Sequence, residues 1–122
     1  MVDDASCFLL TDCLKQTAKT GTARRFADLS FEIASKTGTA YDGKNNTDLF
    51  NVAYTTEHTT LTWIANIKDN SLDSSLHSSC QPTEINKRIM QNLYAYHKPS
   101  SFSTPAGIEK VAYDLDEYQT NH

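Results

Sequence analysis

The chain has 122 residues, and its 11 Lys and Arg against 15 Asp and Glu give a formal net charge of −4 with histidine neutral. Both signs of charge are mixed along the chain, which excludes a basic arm for nucleic acid, a polybasic membrane patch and an acidic tail. With 39% hydrophobic residues, a chain of this length can bury a core, as one domain or as a piece of a larger one.

The start of the sequence does not have the pattern expected of an export signal. Its apolar run at residues 7–10 follows two aspartates and is too short for a signal peptide, and no segment approaches the about 20 apolar residues of a membrane span. The three cysteines are an odd number, which argues against a disulfide framework. Scattered histidines and the absence of a Cys-x-x-Cys pair predict that the chain holds no metal ion.

The first predicted element is an amphipathic helix over residues 6–17, in which apolar positions recur at steps of three and four. Ser6 is the expected N-cap of this helix. Cys7 and Cys13 fall on its apolar face, so we expect both thiols to be buried. Gly21 stands where the helix would end in a left-handed turn.

Three strands with apolar residues at period two are predicted next, over residues 29–35, 49–55 and 59–67, separated by a polar loop at 41–47 and a hairpin at 55–58. In the third strand Trp63 shares its parity with Leu61 and Ile67. We expect Trp63 and Phe50 to lie in the core, with an aromatic platform for a ligand as the alternative. His58 in the hairpin is expected to be solvated, with a role as a base as the alternative.

The last elements are a helix from Pro82 to Pro99, with Ile85, Ile89, Leu93 and Tyr96 on one face, and a weak strand at 108–113. No neighbour of Cys80 in the sequence lowers the pKa of its thiol. The order of elements predicts an α+β fold, an antiparallel sheet of about three strands flanked by N-terminal and C-terminal helices.

The sequence Lys-Thr-Gly-Thr-Ala occurs twice, at residues 19–23 and 36–40, and only the second copy follows a strand pattern. A strand that ends in residues 36–39 places an ammonium group, two hydroxyls and an unobstructed backbone side by side. Such a group can hold a carboxylate, and Gly38 lets a peptide approach the backbone closely. For an isolated match of this length, a solvated cation at a strand edge is the ordinary interpretation.

The surroundings of the second copy resemble the region around the third active-site motif of penicillin-binding proteins, the serine DD-transpeptidases that cross-link peptidoglycan. The matching features, in order, are a helix, a Gly-Thr-Ala turn at 21–23, the Lys-Thr-Gly-Thr strand at 36–39, an Asp-aromatic strand start at 48–50, a Tyr-Thr turn at 54–55 and a strand with Trp63. The later helix and residues 102–108 look like the end of that domain in class A enzymes. The resemblance implies a partial β-lactamase/transpeptidase-like fold, with residues 1–98 as the C-terminal portion of a transpeptidase domain and residues 99–122 as a C-terminal extension.

The resemblance assigns roles to the tetrad. It implies that Lys36 sits beside the proton network of the nucleophile and offers positive charge to the carboxylate of a substrate or antibiotic. Thr37 and Thr39 would supply hydroxyls to that carboxylate, and the backbone N–H of Thr39 would form half of an oxyanion hole. Gly38 would let the substrate strand lie close. The family works without a cofactor.

Two motifs of the family are missing. The sequence has no Ser-x-x-Lys, which supplies the nucleophile, and no Ser-x-Asn, and in the family both precede the region seen here. We therefore expect a fragment that is inactive alone and whose partner is the missing N-terminal half of the domain. The parent would act outside the cytoplasmic membrane, associated with it, on peptidoglycan stem peptides ending in D-Ala-D-Ala and on β-lactams.

Two other interpretations stay open. The chain could be a non-catalytic remnant of the fold that binds a partner protein or peptide at an open sheet edge, or a fragment of a serine β-lactamase-like hydrolase, which shares the Lys-Thr-Gly strand. An unpaired strand edge and an uncovered apolar face also predict self-association of the isolated chain.

Overall fold

The computed structural model describes residues 2–112. The elements are helix α1 (Asp4–Thr20), a short 3-10 helix (Arg24–Phe26), strands β1 (Ala34–Tyr41), β2 (Asn46–Tyr54) and β3 (Thr59–Ala65), and helix α2 (Gln81–Leu93). The strands form one antiparallel sheet in the order β1-β2-β3. This arrangement confirms the predicted α+β fold with helices flanking the sheet. No helix among the described residues is long and apolar enough to cross a membrane.

Helix α1 begins and ends differently from the prediction. Asp3, not Ser6, is the N-cap, because its carboxylate accepts the Ser6 backbone N–H at 2.9 Å and the Ser6 hydroxyl at 2.8 Å. The bond from the Ser6 N–H holds the pKa of the Asp3 carboxyl below its ordinary value. Gly21 ends the helix with φ −90°, which is not left-handed. Glycine is needed there for another reason, since a Cβ would lie 2.9 Å from Thr17 Cα.

The strands are shifted from the predicted ranges. Residues 29–33 alternate in polarity but do not pair with a strand. They form an irregular connection with bends at residues 30 and 31, from which Leu29 and Phe31 pack against the core cluster. The Lys-Thr-Gly-Thr tetrad therefore lies inside β1 and not at the end of a preceding strand. The loop predicted at 41–47 shortens to a turn, closed by a bond from the Asp42 N–H to the Asn45 carbonyl.

The sheet has a covered face and an open face. Alternate β2 residues, among them Leu49, Asn51 and Ala53, are buried under α2 and its preceding loop. Leu61 and Trp63 lie on the opposite face and are 61% and 59% exposed, so the prediction of Trp63 in the core is wrong. The side chains of β3 alternate as predicted, but the polar Thr62 and not the large apolar residues faces α2.

The covered face is joined to α2 by a buried polar network. The Asn86 side-chain amide donates to the Asn51 Oδ1 at 2.7 Å and to the Asn51 carbonyl, and its oxygen accepts the Thr62 hydroxyl. The Asn51 amide donates to Ser35 Oγ. All four side chains are buried, and no buried side-chain polar atom among residues 2–112 lacks a hydrogen-bond partner. The network fixes how α2 lies on the sheet.

The apolar core is small and lies at one end of the sheet. Its buried members are Ala18, Ala23, Phe26, Ile33, Ala53, Met90 and Tyr94. Helix α2 buries Asn86 and Met90 and leaves Ile85, Ile89 and Leu93 of the predicted apolar face exposed. It ends at Leu93 and not at the predicted Pro99, and Tyr96 is exposed beyond the helix. Cys7 and Cys13 are exposed as well, so the prediction that they are buried is wrong.

The chain after α2 contains no strand within the described residues. Residues 108–112, where a weak final strand was predicted, have no strand structure. Tyr113, the last residue of that predicted strand, and the rest of the predicted extension at 113–122 lie outside the described residues.

Candidate functional site

The Lys-Thr-Gly-Thr tetrad occupies the middle of an edge strand. Lys36 lies opposite Val52 and Gly38 opposite Phe50 in the register of β1 with β2. Within residues 2–112, β1 pairs with β2 alone among the strands, so its other edge is free of a strand partner, although helix α1 packs against β1. The first copy of the motif, at 19–23, covers the end of α1 and the turn that follows, as the strand pattern indicated.

The free edge of β1 presents the backbone of Thr37 and Thr39. The hydrogen bond from the Thr55 N–H to the His58 carbonyl makes residues 55 and 58 a hydrogen-bonded pair, and this determines which residues of β2 and β3 bond each other. Hydrogen-bonded and non-hydrogen-bonded pairs alternate along an antiparallel ladder, so Val52 and Phe50 bond to β1. The N–H and C=O groups of Thr37 and Thr39 therefore point away from β2. These groups can pair with an added strand.

The side chains of the tetrad divide between the two faces. Lys36 and Gly38 lie on the open face, and Lys36 is exposed, with its Nζ donating to the Thr37 carbonyl at 2.9 Å. Within the described residues no carboxylate forms an ion pair with Lys36. The role of the ammonium group toward a substrate carboxylate stays a prediction.

The two threonine hydroxyls already have partners. Thr37 is buried, and its Oγ1 lies 2.7 Å from Thr22 Oγ1 in the Gly-Thr-Ala turn. Thr39 is exposed and donates from Oγ1 to Ser78 Oγ at 2.9 Å. The turn at 21–23 thus supports the tetrad from the covered face, while the Thr39 hydroxyl stays at the surface. The ligand roles of these hydroxyls stay predictions.

An aromatic pair lies beside Gly38 on the open face. The Phe50 and Trp63 rings are stacked at 6.2 Å with an interplanar angle of 5°, and Trp63 Nε1 donates to Asp48 Oδ1 at 2.9 Å. A Cβ on Gly38 would meet Phe50 Cβ at 3.5 Å, an ordinary contact. A Cβ at this position would therefore fit beside Phe50, and the roles of Gly38 in admitting a substrate and of the pair as an aromatic platform stay predictions.

One contact of a titratable group was not visible in the sequence. Arg25 donates from Nη2 to Cys80 Sγ at 3.4 Å and from Nε to the Ser79 carbonyl. The bond from Arg25 lowers the pKa of the Cys80 thiol most, and a bond with Ser79 lowers it further, so the prediction that no neighbour in the sequence lowers this pKa is wrong. The two residues are 55 positions apart, so a search of the neighbouring sequence could not find the pair.

His58 is exposed, as predicted, but it is not isolated. Its Nδ1 lies 2.8 Å from the Tyr94 hydroxyl, which also lies 2.6 Å from Thr55 Oγ1. These contacts tie the β2–β3 hairpin to the end of α2. Within residues 2–112, no three His, Cys, Asp or Glu side chains are grouped to hold a metal ion.

Comparison with known proteins gives a match to a penicillin-binding protein. No family model matches the chain, and no solved structure matches it. The chain is similar to penicillin-binding protein 1A/1B of Bacillus subtilis (strain 168), with 29% identity over 128 aligned residues. The match covers 89% of this chain and 14% of the Bacillus protein, so the chain spans a small part of the length of that relative. The similarity supports a relationship with penicillin-binding proteins.

Proposed function

We propose that this chain is the C-terminal part of a penicillin-binding DD-transpeptidase domain, with residues 1–98 belonging to that domain and residues 99–122 to a C-terminal extension. It contributes the Lys36 to Thr39 strand to one wall of an active-site cleft and lacks the nucleophile. The observation that carries the proposal is the position of the tetrad on an edge strand with a free outer backbone, in a chain similar to a penicillin-binding protein.

The free edge suits a peptide substrate. A stem peptide ending in D-Ala-D-Ala, lying antiparallel to β1, would exchange hydrogen bonds with the Thr37 C=O and the Thr39 N–H. To admit it, the Lys36 ammonium would leave the Thr37 carbonyl and turn to the substrate carboxylate. During acyl transfer the Thr39 N–H would donate to the oxyanion, the kind of contact that stabilises a transition state by about 3 kcal/mol.

The chain alone is inactive under this proposal. A hydroxyl without an adjacent base is a weak nucleophile, and the sequence has neither Ser-x-x-Lys nor Ser-x-Asn. The nucleophile-bearing N-terminal half of the domain would cover the open face, where Leu61 and Trp63 are exposed. The complete protein would work outside the cytoplasmic membrane and also take β-lactams.

A chimera tests the proposal. The segment of the Bacillus penicillin-binding protein that matches this chain is replaced by residues of this chain, and the product is treated with a fluorescent penicillin. We expect covalent labelling of the chimera and none of the isolated chain. Lys36→Ala in the chimera should lower the labelling rate by about a hundredfold, the usual effect of removing one group that stabilises developing charge.

The matched control is Lys44→Ala, which removes an exposed ammonium group from the β1–β2 turn. It should leave the labelling rate unchanged. Equal labelling of the Lys36 and Lys44 variants would contradict the proposal, and so would stoichiometric labelling of the isolated chain.

The free backbone of β1 also favours a second function, a non-catalytic module that binds an extended peptide by strand addition. In this case the backbone and not the ammonium group supplies the affinity. Peptide binding to the isolated chain that Lys36→Ala leaves unchanged, together with an unlabelled chimera, would favour the module over the enzyme fragment.

A further inference from the structure

A cavity of about 580 Å³ lies between the turn that follows α1 and the start of α2. Residues 20–22, Arg24 and Arg25 line it together with Ser79 and Cys80. Among the described residues that line the cavity, two carry a guanidinium group and none carries a carboxylate. The cavity therefore combines positive charge with the sulfur of a cysteine, which is a nucleophile when it is ionised.

The Cys80 thiol is held by Arg25 at the start of a helix. Arg25 donates from Nη2 to Cys80 Sγ at 3.4 Å and from Nε to the Ser79 carbonyl at 3.0 Å. Cys80 is the N-cap residue of α2, where the positive end of the helix dipole favours a negative charge. Both surroundings favour the thiolate over the thiol, and the thiolate is the form that attacks a disulfide.

The charges near the thiol are mainly positive. The bond from Arg25 lowers the pKa of the Cys80 thiol most, and the charge of Arg24 lowers it further, whereas burial raises it. Glu84 on α2 is the acidic group beside Arg25, and its carboxylate lies 3.8 Å from Arg25 Nη1 and 3.1 Å from Arg88 Nε. Arg24 is exposed and forms no ion pair within the described residues. Its guanidinium group can therefore bind an anion in the cavity.

The other two cysteines have the opposite surroundings. Cys7 and Cys13 on α1 are exposed, whereas Cys80 is partly buried. Asp12 directly precedes Cys13, and the carboxylates of residues 3 and 4 lie one helical turn before Cys7. A negatively charged reagent is therefore repelled near the two exposed thiols and attracted near the less exposed one.

We propose that Cys80 is a modification site that forms a mixed disulfide with a small anionic disulfide, a molecule that carries carboxylates close to its sulfur–sulfur bond. The Cys80 thiol gives its proton to water, and its thiolate attacks one sulfur of the small molecule. A new S–S bond forms, the old one breaks, and the second sulfur leaves as a thiolate, so that Cys80 is oxidised and the leaving sulfur is reduced. Arg24 and Arg25 bind the carboxylates. The inference does not rest on the proposed function, because it uses neither the tetrad nor the open face of the sheet.

Rates of reaction with two disulfides test the proposal. Dithiobis(nitrobenzoate) carries two carboxylates, and dithiodipyridine is neutral. Two variants of the full chain each keep one cysteine, Cys80 in the first and Cys13 in the second, with serine at the other cysteine positions. With the dianionic reagent Cys80 should react about tenfold faster than Cys13, the reverse of their order of exposure. With the neutral reagent the ratio of the two rates should be smaller.

Charge variants of the chain that keeps Cys80 show whether the arginines cause the preference. Arg25→Gln should slow the reaction with the dianionic reagent about tenfold. Arg24→Gln should slow it by a smaller factor and leave the rate with the neutral reagent almost unchanged. The matched control is Lys44→Gln, which removes an exposed cation from the β1–β2 turn and should change neither rate.

Three results would each overturn the proposal. The first is reaction of Cys13 as fast as Cys80 with the dianionic reagent. The second is an equal ratio of the two rates with both reagents, which would mean a reactive thiol without an anion site. The third is an equal effect of Arg24→Gln and Lys44→Gln. Circular dichroism checks that each variant is folded, and Arg24→Gln keeps the test decisive if Arg25→Gln unfolds, because Arg24 forms no ion pair within residues 2–112.

Discussion

The two faces of the sheet reverse the usual distribution of side chains. The covered face joins α2 through Ser35, Asn51, Thr62 and Asn86, which are small or polar, whereas the open face carries Phe50, Leu61 and Trp63. Helix α1 packs against β1, and at this side of the sheet Thr11 Oγ1 lies 2.9 Å from the Tyr54 hydroxyl. Directional bonds hold the covered side together. The apolar surface that could drive association is on the other side.

The largest expected effect comes from breaking the covered face. Asn86→Ala removes the amide that bonds the Asn51 carbonyl and side chain and leaves buried polar groups without partners. We expect a loss of about 3 kcal/mol in the free energy of unfolding, as for other buried networks. Urea denaturation followed by circular dichroism measures it.

The control for this variant is Asn92→Ala on the exposed side of α2, where the side chain bonds only the Arg88 carbonyl within the described residues. Its effect should stay within about 0.5 kcal/mol. If the two variants unfold at the same urea concentration, the buried network does not hold α2 on the sheet.

A smaller effect is expected where α1 covers the end of the open face. The Glu32 carboxylate accepts Lys15 Nζ at 2.7 Å and the Phe102 N–H at 2.9 Å. The bond from Lys15 lowers the pKa of Glu32 most, followed by the bond from Phe102. A lowered pKa stabilises the fold above the unfolded-state pKa of about 4.3, and the contribution is lost as the pH falls through the folded-state pKa.

Glu32→Gln should therefore cost about 0.5 kcal/mol at pH 7, because the group is partly exposed and screened by solvent, and nothing at pH 2. Unfolding free energies measured across this pH range give the comparison. Glu109→Gln, an exposed carboxylate in the C-terminal segment, is the control. A cost of Glu32→Gln that is equal at both pH values would contradict the assignment.

The smallest effect is expected at the centre of the open face. Leu61→Thr replaces a large exposed apolar side chain with a β-branched one that favours strands, so the monomer should lose no more than about 0.5 kcal/mol. Thermal unfolding of dilute protein measures this change, and solubility should increase. A loss as large as that of Asn86→Ala would mean that Leu61 is buried in the monomer, which would remove the contrast between the faces.

Periodicity in the sequence was sufficient for the order and type of the elements, since period two gives strands and steps of three and four give helices. It could not identify the covered face. Thr62 and Trp63 point to opposite faces in any strand, and which of them faces α2 depends on Asn86, which is 24 positions after Thr62. The same limit explains why Ile85 and Ile89 form a pattern on α2 that is not its buried stripe.

The candidate site was predictable in part. The tetrad was expected on a strand, and it lies on one, but its place at a sheet edge depends on the pairing of β1 with β2 alone among the described residues. The division of Lys36 and Thr37 between two faces follows from strand alternation once the strand is known to include both. The contact of Arg25 with Cys80 joins distant segments, which no local pattern reveals.

The Asn86 network limits which amino acids can replace Asn86 during evolution. A side chain at position 86 must both donate and accept at a fixed length, so an amide of this size has few substitutes there. The exposed Ile85 and Ile89 have no such hydrogen-bonding requirement within the described fold, so substitutions there can change the surface that the helix presents to a neighbour. One helix thus combines a constrained position with adjacent positions open to change.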